Sequence, residues 1–408
     1  MIKNRDIIVV GLQAWDIEIG SNCKNIALEF SKNNRVLYVN APLDWMTLYK
    51  KQDDPRVQLR KDVVKGKKDG LTKLQDNLWN LNPDVVLFSI NQLGLNPLFD
   101  FLNKVNNKRF AGAIKKAIQT LGFKDFIIFN DSDMFRSFHL KEMLRPKTYI
   151  YYTRDNMIAV DYWKKQGIRV EAAHMAKADF VCANSTYLAK LASRFNPQSF
   201  YVGQGCDVSA FDKANVTKKP EDLATIPSPI IGYIGALLSL RLDIETLEYI
   251  AENKPEWSLV LVGPEDETFK VSKLHKMKNV YFTGNKDVTK LPNYLGAFDV
   301  AINPQKLNPV TIGNYPRKID EYLAMGKPTV ATKTEAMSVF AAYCYLAENA
   351  EQYVQFIQKA LKENNEDLEN GRSVFAKTHS WENNVLAIYD LIQKFESGEI
   401  KSESNNWY

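Results

Sequence analysis

The sequence predicts an α/β protein made of two doubly wound parallel-sheet domains, and three observations carry that expectation. The chain has 408 residues, more than one ordinary hydrophobic core organises. Short runs of Val, Ile, Phe and Tyr alternate with helical stretches, the pattern of strand and crossover helix. The alternation occurs twice, with a polar segment between the two series.

The first series reads as strands at Asp6–Val10, Arg35–Val39, Asp84–Ile90, Asp125–Phe129, Thr148–Tyr152, Asp179–Ala183 and Phe200–Val202. Their hydrophobicity is continuous rather than alternating, so both faces of the sheet are covered by helices. A second series follows at Ile230–Ile234, Ser258–Val262, Val280–Phe282, Val300–Asn303, Thr329–Ala331 and Cys344–Leu346. Between them Asp212–Pro229 is polar, rich in Lys and Pro, and without period, as a linker is. The expected division is therefore 1–213, a linker at 214–229, 230–378, and a terminal segment 379–408 whose helix, Glu382–Phe395, packs back toward the N-terminal domain. The last residues, SGEIKSESNNWY, read as a frayed tail. Two such sheets set their carboxyl-end crevices facing across a cleft, where ligands of doubly wound sheets bind.

Composition narrows the function classes. A chain that is 45% hydrophobic and 12% aromatic has no reason to be disordered, and its apolar runs are too short to span a bilayer. The opening MIKNRDIIVVGLQAWD reads as a buried strand, not a signal peptide, so a cytoplasmic protein is expected. The net charge of +5 conceals an asymmetry. Residues 1–213 hold 32 Lys and Arg against 22 Asp and Glu, net +10, and the remainder 21 against 26, net −5. Cys23, Cys182, Cys206 and Cys344 are far apart and lack metal-ligand spacing, so they read as buried thiols.

The most informative stretch is Asn308–Thr332, NPVTIGNYPRKIDEYLAMGKPTVAT. Pro316 suits a first helical turn, Arg317–Met325 supplies the helix, Gly326 ends it, and Lys327-Pro328 leads into a strand. This pattern resembles the donor-binding segment of GT-B glycosyltransferases, in particular the bacterial group 1, family 4-like enzymes of surface polysaccharide synthesis. The resemblance implies a GT-B fold of two Rossmann-like domains, a nucleotide-sugar donor held by the C-terminal domain, and Glu321 on the ribose hydroxyls. Arg317 and Lys318 add positive charge for a diphosphate leaving group. The bland reading of Arg317, Lys318 and Glu321 is a solvated helix face. Many of these enzymes carry a second glutamate earlier in the motif, and here that position is Gly313. The turn Ile312–Tyr315 then offers backbone N–H groups, with Asn314 and Tyr315 as donor-side contacts.

Ile230–Arg241, IIGYIGALLSLR, is similar to the family's phosphate clamp, with Gly235 at the glycine, Ala236 where an arginine is usual, and Arg241 at the lysine position. Gly263 and Gly284 end two further strands where family members cradle the nucleobase. In the N-terminal domain, Gly11, Trp15 and Gly20 lie in a loop after the first strand, expected to contact sugar or phosphate. Arg154 and Asp155 follow the strand Thr148–Tyr152. Asp155 is the expected group to orient or deprotonate an acceptor hydroxyl, with a surface pair or helix cap as the alternative. His139 is the second catalytic candidate, and His174 reads as packing. Asn130–Asp133, NDSD, invites comparison with a metal-binding DxD motif, but its place in the first domain favours a polar strand-end loop. No metal and no cofactor is expected beyond the nucleotide sugar itself.

Residues 50–73 carry nine Lys and Arg against four acids, and residues 101–124 interleave Phe101, Phe110, Leu121 and Phe123 with cations. These fit an anionic membrane surface, which places the expected protein peripherally at the inner membrane face. No nucleic-acid-binding module is present. The reading is a glycosyltransferase acting on a polysaccharide or lipid-linked saccharide acceptor. A GT-B-fold epimerase and a non-catalytic nucleotide-sugar-binding scaffold are the alternatives.

Overall fold

In the computed structural model, which describes residues 1–17 and 20–400, the chain forms two compact units. One joins residues 1–203 to the helix that starts at Trp381, and the other is Gln204–Ser380. Each is built on its own parallel sheet.

The main sheet of the N-terminal unit has eight strands among the described residues: β1 (Asp6–Gly11), β2 (Arg35–Val39), β3 (Leu71–Gln75), β4 (Leu78–Leu81), β5 (Ile127–Asp131), β6 (Thr148–Thr153), β7 (Phe180–Ala183) and β8 (Ser199–Tyr201). They lie in the order β8-β7-β6-β5-β1-β2-β4-β3, parallel except β3, which pairs antiparallel with β4. The order reverses at β1, which lies between β2 and β5. The expected strand Asp84–Ile90 contributes only Val86–Leu87, paired with Leu43–Asp44 in a separate two-stranded sheet. Its place in the main sheet is taken by β4, whose four residues LWNL carry too short a period to stand out. β3 is mostly exposed and polar, as an edge strand tolerates.

The C-terminal unit has six parallel strands: β9 (Ile230–Ile234), β10 (Ser258–Val262), β11 (Val280–Gly284), β12 (Val300–Asn303), β13 (Thr329–Thr332) and β14 (Tyr345–Ala347). Their order, β11-β10-β9-β12-β13-β14, is the doubly wound one, with the reversal between β9 and β12. Strands β9, β10 and β12 are buried along their whole length, which is why they read as unbroken apolar runs.

The chain leaves the first unit at Gly203–Gln204, ten residues before the boundary read from composition. Residues 214–229 are not a free linker. Leu223 and Ile226, with Phe211 just before them, are buried in the core of the second unit, so apolar anchors hold a segment whose composition is otherwise that of a loop. The helix Trp381–Glu396 belongs to the first unit. Tyr389 stacks on Phe30 at 5.5 Å and its hydroxyl accepts a 2.8 Å hydrogen bond from Asn34 Nδ2, while Glu396 pairs with Arg5 at 2.7 Å. Part of the expected frayed tail, 401–408, lies outside the described residues. All four cysteines are buried and free.

Candidate functional site

In doubly wound sheets ligands sit outside the carboxyl ends of the strands, at the reversal of strand order. In the C-terminal unit that point is the end of β9. Gly235 has φ +144° and Gly263, at the end of β10, has φ +151°. A Cβ on Gly263 would lie 2.0 Å from the Gly235 carbonyl oxygen, and one on Gly235 would lie 2.8 Å from Lys318 Nζ. Only glycine permits this convergence of two strand ends and a lysine.

The short helix Lys318–Ala324 is pinned to the strand it serves. The Tyr322 hydroxyl accepts from the Ile234 N–H at 2.9 Å and donates to its carbonyl at 3.2 Å. One turn earlier, Lys318 is carried over the Tyr233 ring, 4.1 Å from its centroid, and donates to the Tyr233 hydroxyl. Arg317 and Lys318 make no salt bridge among the described residues, and Arg317 Nε is buried without a hydrogen-bond partner. The helix is only seven residues long, so these side-chain charges, rather than a helix dipole, give the place its positive potential.

Glu321 stands on the same helix, half-buried, and its carboxylate accepts no hydrogen bond among the described residues. Burial pushes its pKa up to about 6, against the pull of Arg317 and Lys318. A carboxylate held in this way costs stability, and its unused acceptor capacity suits hydroxyl groups from a ligand.

Two loops frame the site. Residues 236–243 and 304–315 are sewn together: Lys306 N–H donates to the Arg241 carbonyl at 2.9 Å, Asn308 Nδ2 to the Leu240 carbonyl at 2.7 Å, and Asp243 N–H to the Pro304 carbonyl at 2.9 Å. This leaves the Arg241 side chain exposed, with no salt bridge among the described residues. Gly313 is buried, and Asn314 Oδ1 is a buried acceptor without a partner. Gly284 ends β11 with φ +69°.

Tyr315, expected to face a donor, is instead committed inward. Its hydroxyl lies 3.2 Å from Asp320 Oδ1 and 3.0 Å from His379 Nδ1, which itself is 2.7 Å from Asp320 Oδ1. Asp320 is fully buried, and burial raises its pKa although His379 and Tyr315 oppose the shift. The triad Tyr315–Asp320–His379 fixes the helix that carries Lys318 and Glu321 to the segment before Ser380, where the His379 carbonyl also accepts from the Cys206 N–H at 2.8 Å. Nothing in the spacing of these three residues along the chain announces the triad.

At the reversal point of the N-terminal unit the charges are used internally. Gly11 pairs in register with Asp131. Fully buried Asp131 accepts from Arg154 Nε at 2.8 Å, and Arg154 Nη1 donates to Asp155 at 2.9 Å. Burial works against the Arg154 charge, but Asp131 and Asp155 more than compensate and raise its pKa. Asp155 is therefore held by an arginine, with its side chain 42% exposed. Gly11 and Trp15, expected to meet a ligand, both pack around Tyr38. A Cβ on Gly11 would lie 2.4 Å from the Tyr38 hydroxyl oxygen, and Trp15 packs edge-on against the same ring at 5.1 Å. Both serve the seating of Tyr38. Gly20 is exposed, with nothing within 4 Å of a Cβ built on it; residues 18 and 19 of that loop lie outside the described residues.

His139 is not brought to Asp155. Its ring rests edge-on against Phe138 at 4.8 Å, its backbone N–H donates to Asn107 Oδ1, and burial followed by the Lys177 charge lowers its pKa. The acids of the loop Asn130–Asp133 are paired with arginines: Asp131 serves Arg154, and Asp133 pairs with Arg136 at 2.8 Å. Among the described residues no group of three or more His, Cys, Asp or Glu is placed to hold a metal ion, and no helix is long and apolar enough to cross a membrane.

Comparison with known proteins agrees with this geography. Residues 228–363, covering the loops and helix just described, match the family model of Glycosyl transferases group 1. A Bacillus subtilis strain 168 protein assigned to teichuronic acid biosynthesis as the glycosyltransferase TuaH is 27% identical over 239 residues, 56% of this chain. The matched stretch spans 60% of that relative's length. Sucrose-phosphate synthase of Thermosynechococcus elongatus superposes with a TM-score of 0.64 at 15% identity, covering 97% of this chain and all of the other. Anabaena HepE in complex with UDP and glucose gives 0.61 at 16%, with the same coverage.

Proposed function

We propose that this chain, a group 1 glycosyltransferase of the GT-B fold, moves a sugar from a nucleotide-sugar donor to a hydroxyl of a polysaccharide or lipid-linked saccharide acceptor. The observation that carries the reading is the set of uncommitted groups at one strand reversal: Arg317, Lys318 and Arg241 without salt bridges, and Glu321 without a hydrogen-bond donor, around the Gly235–Gly263 convergence.

In this reading Glu321 accepts hydrogen bonds from the ribose hydroxyls, and Asn314 Oδ1 takes a hydroxyl of the donor sugar. Arg317, Lys318 and Arg241 stabilise the negative charge that grows on the departing diphosphate, which is the term worth most in such a transfer. Three cations suffice for this without a metal ion, so activity should survive a chelator. On the acceptor side, Arg154, itself fixed by Asp131, holds Asp155 in one position, and Asp155 orients the attacking hydroxyl. The UDP and glucose bound by HepE and the teichuronic acid role assigned to the Bacillus relative favour a UDP-sugar donor and a cell-surface polysaccharide product. A thermal-shift screen of UDP-, GDP- and ADP-sugars tests the proposal: stabilisation by a UDP-sugar that Glu321→Ala abolishes supports it, and no stabilisation by any nucleotide sugar sinks it.

A further inference from the structure

Tyr233 and Ile234 are successive residues of β9, so their side chains stand on opposite faces of the sheet. Ile234 packs with Ile319, Tyr322 and Leu323 of the donor-side helix Lys318–Ala324. Tyr233 packs on the other face with Leu237, Leu247 and Ile302. Lys318 belongs to the helix on the first face, yet its ammonium ends over the Tyr233 ring, 4.1 Å from the centroid, and donates to the Tyr233 hydroxyl. The lysine side chain therefore crosses the end of the strand. Gly235 leaves the path open, since a Cβ there would lie 2.8 Å from both Lys318 Nζ and the Tyr233 hydroxyl oxygen.

A lysine ammonium is a point charge on a flexible stem, and fixing it at the moment of binding costs part of its attraction for an anion. Tyr233 removes that freedom beforehand. Its ring is packed in the core at 2% exposure, and its hydroxyl donates onward to the Ala236 carbonyl at 3.4 Å. The phenol proton is thus directed at the turn after β9, and the lone pairs of the oxygen are left to the ammonium. The choice of a phenol matters electrostatically. A carboxylate in this place would hold the lysine and cancel its charge, whereas a neutral hydroxyl and an aromatic face hold it with the charge intact. One ammonium proton is taken by the hydroxyl, and the others remain for an anion. Ala236 brings no charge of its own to the turn, so the cation nearest the Gly235–Gly263 convergence is the one that Tyr233 holds.

We infer that Tyr233 is a positioning residue for the nucleotide-sugar donor and acts through Lys318: it draws the ammonium across Gly235 and holds it, still fully charged, for the donor diphosphate. The inference rests on the donor side of the function proposed above and names the residue that sets where its lysine acts.

The test is calorimetric titration of the full chain with UDP, GDP and ADP, beside ligand-observed NMR with uridine, guanosine and adenosine. The samples are wild type, Tyr233→Phe, Tyr233→Leu, Lys318→Met and the two double variants. Tyr233→Phe keeps the ring and loses the hydroxyl, so the nucleoside diphosphate that binds should be weakened about threefold; Tyr233→Leu loses both and should weaken it about tenfold. The matching nucleoside, which carries no phosphate, should bind every variant alike. In the Lys318→Met background neither change at Tyr233 should alter diphosphate affinity further. Equal weakening of nucleoside and diphosphate, or the same loss with and without Lys318, would make Tyr233 an ordinary core residue and overturn the inference. Full diphosphate affinity in Tyr233→Phe and Tyr233→Leu would overturn it too. If Tyr233→Leu fails to fold, Tyr233→Phe, which removes a single oxygen, decides the matter alone. Absence of binding by all three diphosphates in wild type would sink the donor reading and this inference with it, whereas binding without coupling between Tyr233 and Lys318 sinks the inference only.

Discussion

The two strand reversals of this chain are alike in topology and opposite in electrostatics. In the N-terminal unit Arg154 and Arg136 are taken up by Asp131, Asp155 and Asp133. In the C-terminal unit Arg317, Lys318 and Arg241 have no salt-bridge partner among the described residues, and the nearby Glu321 is half-buried with its pKa pushed up. A charge with an internal partner builds a scaffold, whereas one left without a partner is stability withheld for a ligand.

The largest effect should come from breaking the scaffold. Asp131→Ala leaves Arg154 buried without its principal partner, and urea unfolding should show a loss of about 3–5 kcal/mol. The fraction still folded should bind UDP-glucose as before; an unchanged midpoint would mean the buried pair is not what holds this loop. Next in size, Lys318→Met or Arg317→Met should weaken UDP-glucose binding by about 10- to 100-fold, the range of a lost charge-assisted hydrogen bond. The melting temperature should hardly move, and a matching loss of stability would return these residues to a structural role.

Glu321 sharpens the contrast through pH. Its folded pKa of about 6 lies above the ordinary glutamate value of 4.5, so the folded state holds this proton more tightly than the unfolded state. Stability therefore declines as pH rises between those two values and stays lower above them. Glu321→Gln should be stabilised at pH 7, on the order of 1–2 kcal/mol, while losing nucleotide-sugar affinity. Wild-type affinity for UDP-glucose, whose diphosphate does not titrate in this range, should fall below about pH 6, and a flat titration curve would contradict the role given to the carboxylate. The smallest effect belongs to Tyr315→Phe, which removes one hydroxyl from the Asp320–His379 triad. A loss of about 1 kcal/mol is expected, with only a slight change in donor affinity, because the hydroxyl is turned to Asp320 and His379 and supports the helix.

The charge asymmetry gains a more definite meaning from the structure. The excess of cations in residues 1–213 includes Lys50 and Lys51, which follow the exposed Tyr49 of an apolar groove. The more acidic C-terminal half places a few unpaired cations at one strand end.

Much of the fold was legible because parallel strands covered on both faces must be continuously apolar, and the second series, Ile230–Leu346, declares itself in this way. The donor-side motif was legible for a related reason. Pro316, Gly326 and Pro328 are backbone requirements, and backbone requirements are written locally. Short or exposed elements, such as β3 and β4, carry no such signal.

What the sequence by itself determined is two doubly wound sheets and the stretch that forms the donor-side helix, since both follow from periodicity and from residues with fixed backbone preferences. Only the tertiary structure decided which charges are committed and which are not. Asp131 meets Arg154 across 23 positions, His379 meets Asp320 across 59, and Tyr38 closes over Gly11 across 27. Such partnerships depend on which strand ends the sheet brings together, and a sheet with its order reversed in the middle joins residues that no local pattern connects.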